Sequence, residues 1–495
     1  MRTLACCTLT ILLLAGATVQ ALEAQRNLAK RVTKRLENPP FDRNLWGVVL
    51  TDLDGRILFS RNAERLFIPA SNTKLAVAAV AAALLPPDWK VRTSVYSSGP
   101  VVEGELQGDL VLYGRGDPTF SRRCYAGDTT QAGVCVDDPM QPLRILAGQL
   151  RTRGIRTVTG SLVGDGSYFE PTLVHPSWEG YDLNWWYAAP VSGLAVNDNS
   201  IDLEYGPGPA EGAPVKISFT PDLGNLTLEN RTWTGPAGSR RTIDFFRRPG
   251  SLDLWAAGSV ALNSGTRTEY FAVPDPNYFT AQAFRRVLAD SGISVAGPTQ
   301  STTDSTRYQH LRLGAAVAEV TSRPLTDWIF PVLNTSQNFF AETLLKQLGK
   351  QFGAEGSWKE GLEVERRFLI DSVGIDSTHF SFRDGSGLAS SNVVTPIAFA
   401  KLLGYIRRHP HYATFAAGLP ESAQRGSLKR RFVGTPLEGR VRAKTGSISR
   451  VNSLSGYIET VKGKTLVFAI LANNHARGGS EMIRQIDSIV VEMGR

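Results

Sequence analysis

The two ends of the chain share a texture that its middle lacks, and this most limits what it can fold into. Near the N-terminus, apolar runs at residues 46–50 and 56–59 flank Asp54-Gly55, a tight-turn signal for a hairpin. Residues 71–85 follow, rich in Ala, Leu and Val and free of glycine, which predicts a buried helix stopped by Pro86-Pro87. Near the C-terminus, strand runs at 451–459 and 465–472 meet around Lys462-Gly463, and a helical pattern closes the chain from about residue 481 to 493. Further helices are predicted over 338–352, 357–373 and 396–407. Between about 90 and 320 the chain turns to short β-branched runs separated by Gly, Pro, Ser and Thr. Helical spacing interrupts these only near 142–151 and 281–291. Two α/β ends around a mainly β stretch read as one discontinuous domain interrupted by an insertion. The expected division is residues 25–90 with 320–495 as one α/β (α+β) domain, and 91–319 inserted.

Residues 1–21 resemble a secretory signal peptide, with Arg2, an apolar stretch over 4–19, and small residues at Val19 and Ala21. The stretch is too short for a comfortable membrane span. An exported protein, in the periplasm or cell-wall space, is therefore expected. Of four cysteines, Cys6 and Cys7 would leave with that leader. Cys124 and Cys135 remain, and in an oxidising compartment they read as one local disulfide. The net charge of +8 is mild for 495 residues. It is compatible with peripheral association with the wall or a membrane surface. Without a long Lys/Arg run or an aromatic-interleaved basic stripe, nucleic acid is not expected as a partner. The six histidines are scattered, so no metal or other cofactor is called for.

Three short motifs carry chemistry. Ser71-Asn72-Thr73-Lys74 opens the first strong helix, and three residues put both side chains on one face. A serine needs a base to become a nucleophile, and a lysine serves if burial and nearby positive charge lower its pKa. Ser336-Gln337-Asn338 lies in a loop entering the next helix. Ser336 can pass a proton between nucleophile, base and leaving amine, and Asn338 can hold Lys74 and a substrate amide. Lys444-Thr445-Gly446 lies on an edge-like strand, followed by Ser447. Lys444 and Thr445 can bind a carboxylate, Gly446 is read as keeping the strand open to substrate, and the Ser447 N–H can complete an oxyanion hole with that of Ser71. Each motif alone is unspecific, and Ser390-Ser391-Asn392 repeats the second one by chance. Their order and their helix, loop and strand settings match a known acyl-transfer signature.

With these motifs the chain resembles the S13 peptidases, D-alanyl-D-alanine carboxypeptidase/endopeptidases among the class C low-molecular-mass penicillin-binding proteins. The long gap from Ser71 to Ser336 is similar to the family's insertion. Gly114-Arg115-Gly116-Asp117-Pro118 and Asp384-Gly385-Ser386-Gly387-Leu388 are similar to its glycine-rich motifs. The resemblance implies a penicillin-recognising, β-lactamase-like domain, an antiparallel sheet flanked by helices, with two small inserted domains. It implies an acyl-enzyme on Ser71, peptidoglycan stem peptides as substrate, and β-lactams as inhibitors. It also assigns Asp165 a contact to the stem-peptide amine. Ala389-Ser390 departs from the Ser-Arg often found after that motif, which leaves the preferred stem peptide open. The rivals are a β-lactamase, whose E-x-x-L-N-type signature is missing, a non-catalytic penicillin-binding wall sensor, and a Ser-His-Asp hydrolase, whose G-x-S-x-G elbow is missing.

Overall fold

The computed structural model describes residues 23, 25–121, 138–224, 226–248 and 250–495. The expected leader and both Cys124 and Cys135 lie outside them. The two ends of the chain build one five-stranded antiparallel sheet. Its order is Ile57–Arg61, Leu45–Thr51, Thr465–Asn473, Val451–Glu459, Val441–Ile448. Alternation along the central strand sends Leu466, Phe468, Ile470 and Ala472 to one layer and Val467, Ala469 and Leu471 to the other. Helix Gly479–Gly494 and a helix over residues 25–36 cover the first face. Because both faces are buried, this strand reads as one apolar run.

On the second face lies helix Lys74–Leu84, buried from Lys74 to Ala82. A helix this apolar on all sides can only sit inside a core. The expected helix start at residue 71 is refined: Ala70–Thr73 is a 3-10 turn, and the α-helix begins at Lys74. Helices Leu325–Asn334, Asn338–Phe352, Trp358–Asp371 and Pro396–Arg408 pack around it. The helix over 25–36 was not expected from the sequence. Its apolar contacts, Leu28, Val32 and Leu36, are few and set among basic residues, two of which pair with Glu492.

The middle of the chain forms a second five-stranded sheet, in the order Thr299–Thr302, Leu162–Asp165, Leu110–Tyr113, Arg92–Ser97, Ala318–Thr321. Its first three strands run parallel and the last two pairings are antiparallel. Helices Gln141–Thr152 and Pro276–Asp290 cover one face. Beyond it, two three-stranded sheets enclose Leu203, Tyr205, Phe245, Leu254 and Phe271. This stretch is latched to the helical layer at the glycine-rich turn. Gln347 Nε2 donates to the carbonyls of Arg115 at 2.6 Å and Gly116 at 3.1 Å. No helix among the described residues is long and apolar enough to cross a membrane.

Candidate active site

Ser71 stands on a wedged turn. Ala70, just before it, has a left-handed φ of 49°, a conformation that L-residues hold only when their surroundings impose it. On one side the turn meets strand Val441–Ile448. A Cβ on Gly446 would lie 2.2 Å from Ser453 Oγ and 2.7 Å from the Pro69 carbonyl. The bare Cα of Gly446 therefore faces inward, onto the turn, and not toward the open strand edge as the sequence suggested. Ser453 Oγ donates to that same carbonyl at 2.7 Å, and Asn72 Nδ2 donates to Ser455 Oγ at 2.7 Å. On the other side Gly387, at φ +81°, lets the 384–388 loop approach so closely that a Cβ would sit 2.0 Å from the Ala70 carbonyl.

Lys74 is buried beneath Ser71. Its ammonium donates to Ser71 Oγ at 3.0 Å, Asn338 Oδ1 at 2.7 Å and the Ser386 carbonyl at 2.6 Å. Three N–H donors thus have three acceptors. Burial lowers its pKa from 10.5 to about 7, against the opposing pull of Glu342 and Asp384. Both protonation states are then populated near neutrality, which suits a general base. Asn338, at the start of its helix, is held from behind: its Nδ2 donates to the Tyr187 carbonyl at 2.7 Å.

The third motif closes the cluster. Lys444 is fully buried, and its Nζ donates to Ser336 Oγ at 2.8 Å and the Thr445 carbonyl at 2.8 Å. Burial, then the charge of Lys74, hold it well below the ordinary lysine range. Ser336 itself has a φ of 64°. Thr445 Oγ1 donates to Ser427 Oγ at 2.8 Å, and Asn452 Nδ2 donates to Ser447 Oγ at 2.7 Å. A cavity of about 170 Å³ opens beside Ser427, Thr445, Ser447 and Asn452.

Ser71, Lys74 and Asn338 are thus joined through hydrogen bonds, and Ser336 and Lys444 form a second bonded pair whose lysine feels the charge of Lys74, with Thr445 and Ser447 on the same edge strand as Lys444. Asp165 makes no bond to them. Its buried carboxylate pairs with Arg312 Nη1 at 3.0 Å and accepts from the Ser167 N–H at 2.9 Å. Asn392, from the chance repeat, is structural: its amide donates to Asp384 Oδ1 and its Oδ1 accepts from the Arg383 N–H. Two supporting carboxylates were given no role from the sequence, Asp384 being named only within its motif and Glu342 lying only within a predicted helix. Asp384 accepts from Trp178 Nε1 and from the Gly387 and Ala389 N–H groups. Glu342 holds the preceding two N–H groups of that loop. The i, i+4 spacing of Asn338 and Glu342 was the signal available for the latter. No group of three or more His, Cys, Asp or Glu among the described residues is placed to hold a metal.

A serine with a neutralisable lysine at hydrogen-bond distance, backed by a second serine–lysine pair, is equipped for acyl transfer. The family model for the D-Ala-D-Ala carboxypeptidase 3 (S13) family matches residues 28–493. The chain belongs to this family. It is 31% identical over 471 residues to a D-alanyl-D-alanine carboxypeptidase of Actinomadura sp. (strain R39), covering 92% of this chain and 82% of that one. It is 26% identical over 474 residues to penicillin-sensitive carboxypeptidase A of Dictyostelium discoideum, covering 90% and 86%. Its fold is that of penicillin binding protein 4 (dacB) from Haemophilus influenzae, with a TM-score of 0.79 at 22% identity over 94% of this chain and 99% of that one. A second structure of that protein, complexed with a novel β-lactam, gives a TM-score of 0.75 at 21% identity, again over 94% and 99%. Membership in this peptidase family sets the β-lactamase and sensor readings aside.

Proposed function

We propose that this protein is a serine-type D-Ala-D-Ala peptidase acting on peptidoglycan stem peptides through an acyl-enzyme on Ser71. Neutral Lys74 accepts the Ser71 Oγ proton as Oγ bonds to the carbonyl carbon of the penultimate D-Ala. The N–H groups of Ser71 and Ser447 receive the oxyanion. As the C–N bond breaks, Ser336, held by Lys444, passes its proton to the departing amine of the terminal D-Ala and takes up the one that Lys74 removed from Ser71, so that Lys74 is neutral again. Asn338 keeps Lys74 aimed, and Thr445 with Ser447 takes the terminal carboxylate. Water then hydrolyses the ester. A β-lactam presents its amide in the same place, but its leaving amine stays tethered, so the ester persists. The observation that carries this reading is the buried Lys74 ammonium, 3.0 Å from Ser71 Oγ.

Mass spectrometry of purified sacculi tests it. Loss of terminal D-Ala, blocked by penicillin, is the expected result, and unchanged sacculi would overturn it. The same reading predicts the pH profile. Because the base is active only when neutral, kcat/KM rises roughly tenfold per pH unit below a pKa of about 7 and flattens above it. A flat profile through that range would remove Lys74 as the base.

Export belongs to this proposal, since the substrate lies outside the cytoplasm. Residues 1–21 act as the leader, Cys124 and Cys135 form a disulfide, and the net charge of +8 favours peripheral contact with anionic wall or membrane surfaces. Residues 25–90 and 320–495 form the catalytic domain, and 91–319 two inserted units. Supporting this, one sheet draws its strands from both chain ends, and the inserted stretch has apolar clusters of its own. The intact mass of the exported protein checks two of these points. It is expected to start at residue 22 and to lack two hydrogens. A retained leader or two free thiols would overturn them.

A further inference from the structure

Helix Asn338–Phe352 turns a second side chain inward, one turn after Asn338. Glu342 is fully buried, and its carboxylate accepts three N–H bonds. Trp358 Nε1 donates to Oε2 at 2.8 Å, the Gly385 N–H to Oε2 at 3.0 Å, and the Ser386 N–H to Oε1 at 2.6 Å. The last two belong to the loop whose Ser386 carbonyl meets Lys74 Nζ at 2.6 Å. The peptide group carrying that carbonyl is pinned on its N–H side by Asp384, at 2.8 Å from the Gly387 nitrogen.

We propose that Glu342 is the positioning residue of the Ser71–Lys74 pair: it fixes the loop that presents the Ser386 carbonyl to Lys74, and its buried carboxyl acts on the Lys74 proton across that loop. This rests on the reading of Lys74 as the base. The charged and titratable groups facing Glu342 are Lys74, Asp384 on the loop, Glu365 on helix Trp358–Asp371, and Lys346 one turn further along its own helix. Glu365 differs from Glu342 in kind. Among the described residues both its carboxyl oxygens are buried without a hydrogen-bond partner, so it holds no part of the loop, and burial, then Glu342 and Asp384, push its pKa well up. For Glu342, burial and then Asp384 raise the pKa to about 7 while its N–H donors oppose the rise, and its charge pulls the Lys74 pKa up against the effect of burial.

The test is the acylation rate of the full chain by a fluorescent penicillin, measured against pH. In Glu342→Gln one acceptor oxygen survives, the other becomes a donor, and the charge is gone. Glu342 and Lys74 titrate in the same range, so without the carboxylate Lys74 loses its proton more readily there and the upper part of the acid limb moves to lower pH. The plateau falls roughly tenfold, because the amide NH₂ accepts from none of the three N–H donors and leaves at least one unpaired. Glu365→Gln, at a carboxyl that bonds to nothing in the loop, leaves the limb in place. Trp358→Phe keeps the carboxyl but withdraws one N–H, so the carboxyl holds its proton more tightly and the limb moves the same way by less. Should circular dichroism show Glu342→Gln unfolded, Trp358→Phe decides. Limbs that coincide with the parent protein, whatever the plateau, would make Glu342 merely structural and overturn the inference. A limb moved equally by Glu365→Gln would overturn it too. Failure of the peptidase reading is distinct: there the parent protein itself takes up no label at Ser71.

Discussion

Ser71→Ala takes up no penicilloyl group, loses D-Ala release by at least about 10³-fold, and melts close to the parent protein. The two halves of that result come from different features of the turn. Chemically, no other hydroxyl lies on the proton donors of Lys74: its remaining acceptors are Asn338 Oδ1 and the Ser386 carbonyl. Ser336 is bonded to the other lysine. Removing the Ser71 oxygen thus removes the atom that forms the ester. Structurally, Ser71 is only half-buried, and Lys74 donates to it in one of three bonds. Losing one such bond is worth about 1 kcal/mol. Intact-mass analysis after penicillin, alongside a thermal melt, reads both. A penicilloyl adduct on the alanine variant would assign the nucleophile elsewhere.

Gly387→Ala has the opposite signature, a stability loss that takes activity with it. At φ +81° an L-residue is strained by about 1 kcal/mol. The new Cβ would also lie 2.0 Å from the Ala70 carbonyl and 2.8 Å from Thr73 Oγ1, so backbone must move. Together these should cost roughly 2–4 kcal/mol. The turn that yields is the one carrying Ser71, and misplacing a nucleophile by an ångström costs about 10²-fold in rate. Gly463→Ala is the control. It shares a positive φ, 75°, but has open space around it, so only about 1 kcal/mol is expected and no change in rate. Denaturant melts and acylation rates of the two variants, side by side, separate strain from collision. Equal losses in both would mean that the contact with Ala70 is immaterial.

How much of this was legible in the sequence depends on how local each feature is. The Ser71–Lys74 pair was readable because its chemistry needs two residue types one helical turn apart. Helix Asn338–Phe352 begins at the expected residue, since an apolar period and a polar loop mark its start. The bond joining these two motifs, Lys74 Nζ to Asn338 Oδ1, spans 264 residues, and only a known signature brought them together in advance. Gly446 was assigned the right place but the wrong reason, because its neighbours Pro69 and Ser453 come from other elements. The Tyr187 and Ser386 carbonyls left no trace, since every residue has one. Arg312 was invisible for a related cause: an arginine in a polar stretch does not reveal that it faces a buried carboxylate, here Asp165.

The pairing of strand Leu45–Thr51 with strand Thr465–Asn473 has a consequence in time as well as in space. A chain emerging N-terminus first presents its serine early, but the strand that braces the serine's turn, with Lys444 and Gly446, arrives almost last. Until then Ala70 lacks one of the two neighbours that wedge its turn, and Lys74 has no second lysine beside it. A nascent or truncated chain therefore carries the nucleophile without the site. Hydrolytic competence waits until strand Val441–Ile448 has joined the sheet.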